Sequence, residues 1–404
     1  MSKALEVARE LVRQLDEAEK KNKVELSTLA PGDVFEIGEN DFIVLEQMGS
    51  SAKVISKDFM AEDIIYDEDS RDYNESNLKK VIEDEIQPII ESEVGEGNLV
   101  EHIVELTSVD MQQEFHACEC KVRPITFDEV RKYNNLLPNK DLDDWWWTCT
   151  PWSTAERGWK YSVAVVSSSG YIYVSDCYDC NGVRPVCILK SNIFVSKKGG
   201  IIMATLTMRV LQEQINDLGN EIAVLKATSK STNLLEGLGI GDTFEVADAK
   251  WKILDITSAG YICLADSIEE RQFDSDSSNW ENSDLRGYLN KDFFEKIAAE
   301  IGLENIVPFE RNLLSLDGQT EYGKCEDKVS LLTVDEYRKY RSLIPNTKDY
   351  WWWLVSPWST PCNDYERTVT VVSSSGVINY YNCDYYGGVR PVCIFSSSIF
   401  ESGD

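Results

Sequence analysis

Residues 145–188, WWWTCTPWSTAERGWKYSVAVVSSSGYIYVSDCYDCNGVRPVCI, recur at 351–394 as WWWLVSPWSTPCNDYERTVTVVSSSGVINYYNCDYYGGVRPVCI, at a constant offset of 206 and without a gap. Working outward, Phe127-Asp128-Glu129-Val130-Arg131-Lys132-Tyr133 matches Val334-Asp335-Glu336-Tyr337-Arg338-Lys339-Tyr340, and Asp33-Val34-Phe35-Glu36 matches Asp242-Thr243-Phe244-Glu245. An internal repeat of this length means two homologous folded units in one chain. The reading divides the 404 residues into an N-terminal helix at 1–25, a first copy at 26–197, a coiled-coil linker at 198–235 and a second copy at 236–404.

Within a copy the pattern is α+β. Short strands open it, at Val34 to Ile37 and Phe42 to Leu45, and at Phe244 to Val246 and Lys250 to Leu254. Polar helices follow, at Ser76 to Glu83 in copy one and at Ser283 to Leu289 and Phe293 to Glu300 in copy two. Thr126 and Thr333 each precede an Asp-Glu pair, the signature of a capped helix start. Strands and turns fill the rest, without the β-α-β alternation of a parallel sheet. In the linker, Met208, Leu211, Ile215, Leu218, Ile222 and Leu225 hold heptad spacing. That stripe fits a coiled coil that multimerises the chain, or a helix packed on its own domain.

Comparison of the copies is informative because 23 of the 44 positions are identical and 21 differ. Val163, Val165 and Ile172 are kept, whereas Ser162, Ala164, Tyr171 and Tyr173 become Thr368, Thr370, Val377 and Asn379. Alternation of this kind predicts a constant core face and a second face free to change. Differences then cover 174–176 and 178–181 on either side of the common Cys177, and identity returns at GVRPVCI. Surface drift ordinarily leaves Lys, Glu and Gln, but this face carries Tyr, Asn, Asp, Ser and Cys, the residues of adaptable binding surfaces.

The closing block, WWW, PW, SSSG and GVRPV, resembles the C-type-lectin-fold ligand-binding domains of bacteria and their phages, and above all the variable proteins of diversity-generating retroelements. The resemblance covers both copies and is most specific at Gly182 to Val186 and Gly388 to Val392. It implies two tandem C-type-lectin-like domains whose variable positions are rewritten by adenine-directed mutagenesis. Randomised AAC codons cannot encode Trp, Lys, Gln, Glu or Met, and the stretches 171–181 and 377–387 contain none of these. Glu156, Trp159, Lys160 and Glu366, which are in that set, all fall in the 155–162 loop and its counterpart.

The candidate contact residues are Tyr171, Tyr173, Ser175, Tyr178, Asp179 and Asn181 in copy one, and Asn379, Tyr381, Asn382, Asp384, Tyr385 and Tyr386 in copy two. On this reading each Tyr and Asn among them is dispensable to folding. The expected partner is a protein or glycan on a host or environmental surface. With helices that raise avidity, the chain would be a virion-borne adhesin or a bacterial display protein. Two other readings stay open: a constant structural component of a particle, and an oxidase resembling formylglycine-generating enzymes that would use Cys177 and Cys180.

Several classes are disfavoured. Seventy acidic against 40 basic residues give a net charge of -30, which repels nucleic-acid phosphates. No run of 18 apolar residues spans a membrane, and Met1-Ser2-Lys3-Ala4-Leu5-Glu6 opens no secretory signal, so the expected site of synthesis is the cytoplasm. His102 and His116 are replaced by Phe309 and Gly323 in copy two, which leaves no histidine common to both copies. No catalytic residue, metal ligand or cofactor is assigned. Trp145 to Trp147 and Trp351 to Trp353 read as scaffold, with indoles satisfied by backbone carbonyls, and Arg184 and Arg390 as buried ion-pair or carbonyl anchors.

Overall fold

The computed structural model describes residues 23–138, 142, 144–198, 235, 237–347 and 349–400. The coiled-coil expectation for 198–235 lies outside these residues except at its two ends, as does most of the N-terminal helix expected at 1–25. The end of that segment, Lys23–Glu25, is a strand rather than helix, paired antiparallel with Phe194–Lys197.

The described chain is α+β, mostly sheet, with four helices. Helix α1 runs over 77–94, α2 over Phe127–Tyr133, α3 over 284–301 and α4 over Val334–Tyr340. The two helices expected in copy two merge into α3, because nothing caps or breaks the chain between them. Each long helix carries a π turn at its middle, Ile82–Ile86 and Leu289–Phe293. Their buried residues recur every four positions, Leu78, Ile82, Ile86 and Ile90, and Leu285, Leu289, Phe293, Ile297 and Ile301. A strict four-residue period overshoots 3.6 residues per turn, and the wider π turn returns the stripe to the core. The capped helix starts expected at Thr126 and Thr333 are present, and each threonine closes a capping box with Glu129 and Glu336.

Each copy has two large sheets and a two-stranded ribbon, His102–Val104 with Cys118–Cys120 in copy one and Phe309–Asn312 with Lys324–Asp327 in copy two. In copy one, a seven-stranded sheet places Pro185–Lys190 between Ser51–Ser56 and Val122–Pro124. A five-stranded sheet runs in the order Ile172–Asp176, Ser162–Val166, Trp146–Pro151, Cys180–Val183 and Ala61–Ile65. Copy two repeats this with a six-stranded sheet around Val392–Phe395 and a five-stranded sheet around Trp352–Pro357. The GVRPVCI segment therefore leaves one sheet and enters the other at Arg-Pro, and proline suits a point where a ladder hydrogen bond must lapse.

Arg184 and Arg390 anchor that crossing. Arg184 Nε donates to Ser56 O at 3.1 Å and its guanidinium lies 4.7 Å from the Trp146 ring. Arg390 Nε donates to Ala265 O at 3.1 Å, 4.8 Å from the Trp352 ring. Desolvation pushes Arg184 down to about 9. The scaffold reading of the tryptophans also stands for Trp147 and Trp353, whose Nε1 groups donate to Ile64 O at 2.7 Å and Arg271 O at 2.8 Å.

The two copies pack on each other through a two-fold-like seam. Arg131 on α2 pairs with Asp335 on α4, and Arg338 on α4 pairs with Asp128 on α2, the reciprocity of an isologous contact. At the centre the Trp152 and Trp358 rings lie 5.7 Å apart, and Trp152 Nε1 donates to Ile378 O at 3.2 Å. This changes the meaning of the alternation on Ser162–Val166, because all five of its residues are buried. Val163 and Val165 face the α1 core with Trp147, whereas Ala164 and Val166 join Trp146, Trp152, Trp352 and Trp358 in a cluster that spans both copies. The face expected to be free is covered by the other copy.

A buried carboxylate ties each PWST segment to the seam. Asp110 accepts from Ser108 Oγ at 2.6 Å, Ser153 Oγ at 2.8 Å and Arg157 at 2.6 Å. Its counterpart Asp317 accepts from Ser315, Ser359 and Asn363, with no cation in that set. Burial pushes Asp317 from 3.8 up to about 6, against the pull of those three hydrogen bonds. A carboxyl raised in the folded state costs nothing while both states are protonated and destabilises once it ionises. Stability is therefore expected to fall by about 3 kcal/mol as the pH rises from about 3 to about 7, with about 2 kcal/mol of that between pH 4 and pH 6. Denaturant melts across that range should show the slope, and Asp317→Asn should remove it. Trp152→Ala should cost about 3–5 kcal/mol in the same assay, since it opens the centre of the seam.

Candidate ligand-binding surface

The hairpin that carries the copy-one candidates is fixed by its turn. In Ser167-Ser168-Ser169-Gly170, Ser167 Oγ accepts from Ser169 N at 3.3 Å and Tyr171 N at 3.2 Å, and Gly170 sits at φ 94°. Ser373 and Gly376, at φ 81°, repeat it. A backbone of this hand favours glycine, which accounts for an SSSG common to both copies. The register then sets Tyr173 opposite Val165 and Ser175 opposite Val163 in copy one, and Asn379 opposite Val371 and Tyr381 opposite Val369 in copy two.

The structure divides the twelve candidates. Tyr171 and Tyr173 lie half-buried at the seam. Tyr171 packs on Trp145 at 5.4 Å and on Tyr365 of the other copy at 4.7 Å. Tyr173 shares a 2.8 Å hydroxyl hydrogen bond with Tyr380 and meets the Trp358 ring at 6.3 Å. Burial and then the Tyr380 hydrogen bond push the Tyr173 hydroxyl up to about 12. These two residues thus take part in the packing of copy on copy, and the expectation that they are dispensable to folding is put to the test below for Tyr173.

The remaining copy-one residues cluster at the next turn. Ser175 Oγ donates to Asp179 Oδ2 at 2.9 Å, and Asp179 Oδ2 also accepts from Asp176 N at 3.1 Å, so Asp179 closes the turn. Tyr178 is 51% exposed, its hydroxyl bonded to Asp176 at 2.7 Å and its ring 5.9 Å from Tyr161. Asn181 is buried, with its amide 3.4 Å from Ser175 Oγ, and it supports the turn from below.

In copy two, Tyr381 stacks on Trp351 with centroids 4.9 Å apart and rings 2° from parallel, and Tyr385 meets its edge at 5.8 Å. Asp384 pairs with Arg367 at 3.0 Å and its carbonyl accepts from Gln272 at 2.6 Å. Asn382 is exposed, Tyr385 and Tyr386 are 53% and 66% exposed, and the Asn379 side chain accepts from Tyr380 N at 2.9 Å. Sequence reasoning passed over Tyr161, Tyr365 and Tyr380. All three occupy positions that differ between the copies, and that was the available signal.

Cys177 is buried and Cys180 exposed, and both are free thiols. Desolvation, with Asp67 and Asp176 nearby, pushes Cys177 up to about 11, which disfavours the thiolate that oxidase chemistry would use. Among the described residues no group of three or more His, Cys, Asp or Glu is arranged to hold a metal ion.

Residues 251–397 match a family model described as a domain of unknown function (DUF6273). The matched stretch runs from the strand Ala249–Thr257 through the GVRPV crossing, and so holds the α4 cap, the SSSG turn and all six copy-two candidates. No curated protein and no solved structure matches the chain. Among the described residues no helix is long and apolar enough to cross a membrane.

The two classes of tyrosine differ measurably. Tyr173→Phe should lower stability by about 1 kcal/mol through the lost hydroxyl pair, whereas Tyr178→Ala, Tyr385→Ala and Tyr386→Ala should each stay within about 0.5 kcal/mol. Urea midpoints of the four variants check this.

Proposed function

We propose that the chain is a binding module, in which two C-type-lectin-like copies present exposed, tyrosine-rich hairpin ends to a protein or glycan ligand. One observation carries the reading. Outside the seam, the segments that differ most between the copies end in solvent-exposed Tyr178, Tyr385 and Tyr386, while the GVRPVCI segment beside them is buried and identical. Tyrosine gives contact area at low entropy cost, and half or more of each of these three side chains is left in solvent.

The resemblance to variable proteins of diversity-generating retroelements extends this reading. The tips would be the diversified positions, and the chain a virion-borne adhesin or a bacterial display protein. A second reading, a constant structural component, draws support from Tyr171 and Tyr173, whose differences from copy two accompany contacts across the seam.

The experiment is to sequence the gene and its surroundings in several isolates. The binding reading expects AAC-type codons at 171–181 and 377–387, a near-identical template repeat and a neighbouring reverse transcriptase gene. Invariant codons without a template would overturn retroelement diversification and favour the constant component.

A further inference from the structure

The two-fold-like seam has two equivalent junctions, and they are not alike. At the first, the 315–319 loop of copy two meets the end of α2. Asn134 Nδ2 donates to Asp317 O at 2.8 Å, Gln319 donates to Asn134 Oδ1 at 3.1 Å, and Gly318, at φ 85°, lies so close to the Arg131 backbone that a Cβ would stand 2.7 Å from its carbonyl oxygen. That junction is closed and held by neutral groups.

At the second, the 108–112 loop of copy one meets the end of α4. Met111 occupies the position of Gly318, keeps a left-handed φ of 61° and is 43% exposed. A side chain here blocks the close approach that glycine permits, and the strained backbone marks the spot. Arg341 replaces Asn134, and Arg157 replaces Asn363. The result is a cleft of about 520 Å³ lined by Met111, Gln112, Arg157, Arg338, Lys339 and Arg341, among others.

The charges in the cleft are unevenly matched. Arg157 pairs with Asp110, Arg338 with Asp128 and Lys339 with Asp255. Arg341 is largely buried and gives its donors to Ile344 O at 3.0 Å and Asn346 Oδ1 at 2.6 Å, both neutral. Its Nε has no hydrogen-bond partner among the described residues. Desolvation lowers the Arg341 pKa, Tyr337 and Asp110 favour its charge, and the nearby Arg157 opposes it. A buried guanidinium with no carboxylate hydrogen-bonded to it, beside a second guanidinium whose charge Asp110 already meets, lines an open cleft and can take an anion.

We propose that this junction is a binding site for a phosphate group, free or carried on a small polar molecule. Arg341 is its principal ligand and Arg157 stands at its edge. The site is absent from the other junction because Asn134, Asn363 and Gly318 fill and neutralise the equivalent space. It lies apart from the hairpin ends and does not rest on their proposed role.

The test is calorimetric titration of the full chain with inorganic phosphate and with glucose 6-phosphate, at ionic strength held constant with chloride. Melting temperature is followed in parallel. Asn346→Asp, at an exposed position, places a carboxylate against Arg341 and should weaken phosphate binding at least about tenfold, with no loss of melting temperature in its absence. Arg341→Gln should do the same to binding. Tighter binding of glucose 6-phosphate would show that the cleft reads the carrier, and equal affinity that it reads the phosphate alone. No saturable binding by the native chain, or equal binding by the native chain and Asn346→Asp, would overturn the proposal.

Discussion

A guanidinium buried at the point where one strand leaves its sheet and joins another is the constraint on which the rest of each copy depends. The crossing at Arg184-Pro185 orients both sheets at once, because Cys180–Val183 pairs parallel with Trp146 and antiparallel with Ala61–Ile65, whereas Pro185–Lys190 lies in the other sheet. Burying a charge is costly unless its donors and its face are occupied. Here a backbone carbonyl and an indole ring do this in both copies, Ser56 O with Trp146 and Ala265 O with Trp352. A smaller side chain would leave the carbonyl orphaned and the indole uncovered. That accounts for identity at Trp, Arg and Pro together, at sites that are otherwise remote in the sequence.

The seam is the second consequence. Once the tryptophan strand is held, its two faces must both be covered. Trp147 and Trp353 point to the core beneath α1 and α3, and Trp146 and Trp352 to the cluster shared by the copies. A half-barren sheet face of that size does not stay in water, and the second copy supplies its cover. Identity and difference then acquire positions. Residues that meet the same neighbours in both copies stay the same, such as Ser153 and Ser359 on their buried carboxylates. Residues that look across the seam meet a different partner on each side, so Tyr173 and Tyr380 have no matching pair on the other side.

The α+β class, the repeat, the helix caps and the tryptophan and arginine scaffold were legible because each rests on local chemistry or on internal comparison. Thr126 with Glu129 spells a capping box within four residues, and no tertiary contact is needed to read it. The seam was not legible, because the alternation of Val163, Ala164, Val165 and Val166 reports two faces without saying what covers them. Tyr171 and Tyr173 were accordingly placed with the exposed residues. The Ser108-Val109-Asp110 and Ser315-Leu316-Asp317 stations were also passed over, although they repeat at the same spacing as α2 and α4. A buried carboxylate bonded to hydroxyls has no sequence signature distinct from an exposed one.

What remains free of structural duty is narrow, and that bears on function. Of the copy-one candidates, Asn181 supports a turn, Asp179 closes it, and Tyr171 and Tyr173 serve the seam, which leaves Tyr178 as the exposed aromatic. Copy two leaves Asn382, Tyr385 and Tyr386. A surface that must change without unfolding its carrier has to be confined to such positions, because any substitution at Tyr173 alters the contact of one copy with the other. Under the binding reading, the seam therefore separates two tasks within the same hairpins: their near ends hold the copies together, and their far ends stay available to a ligand.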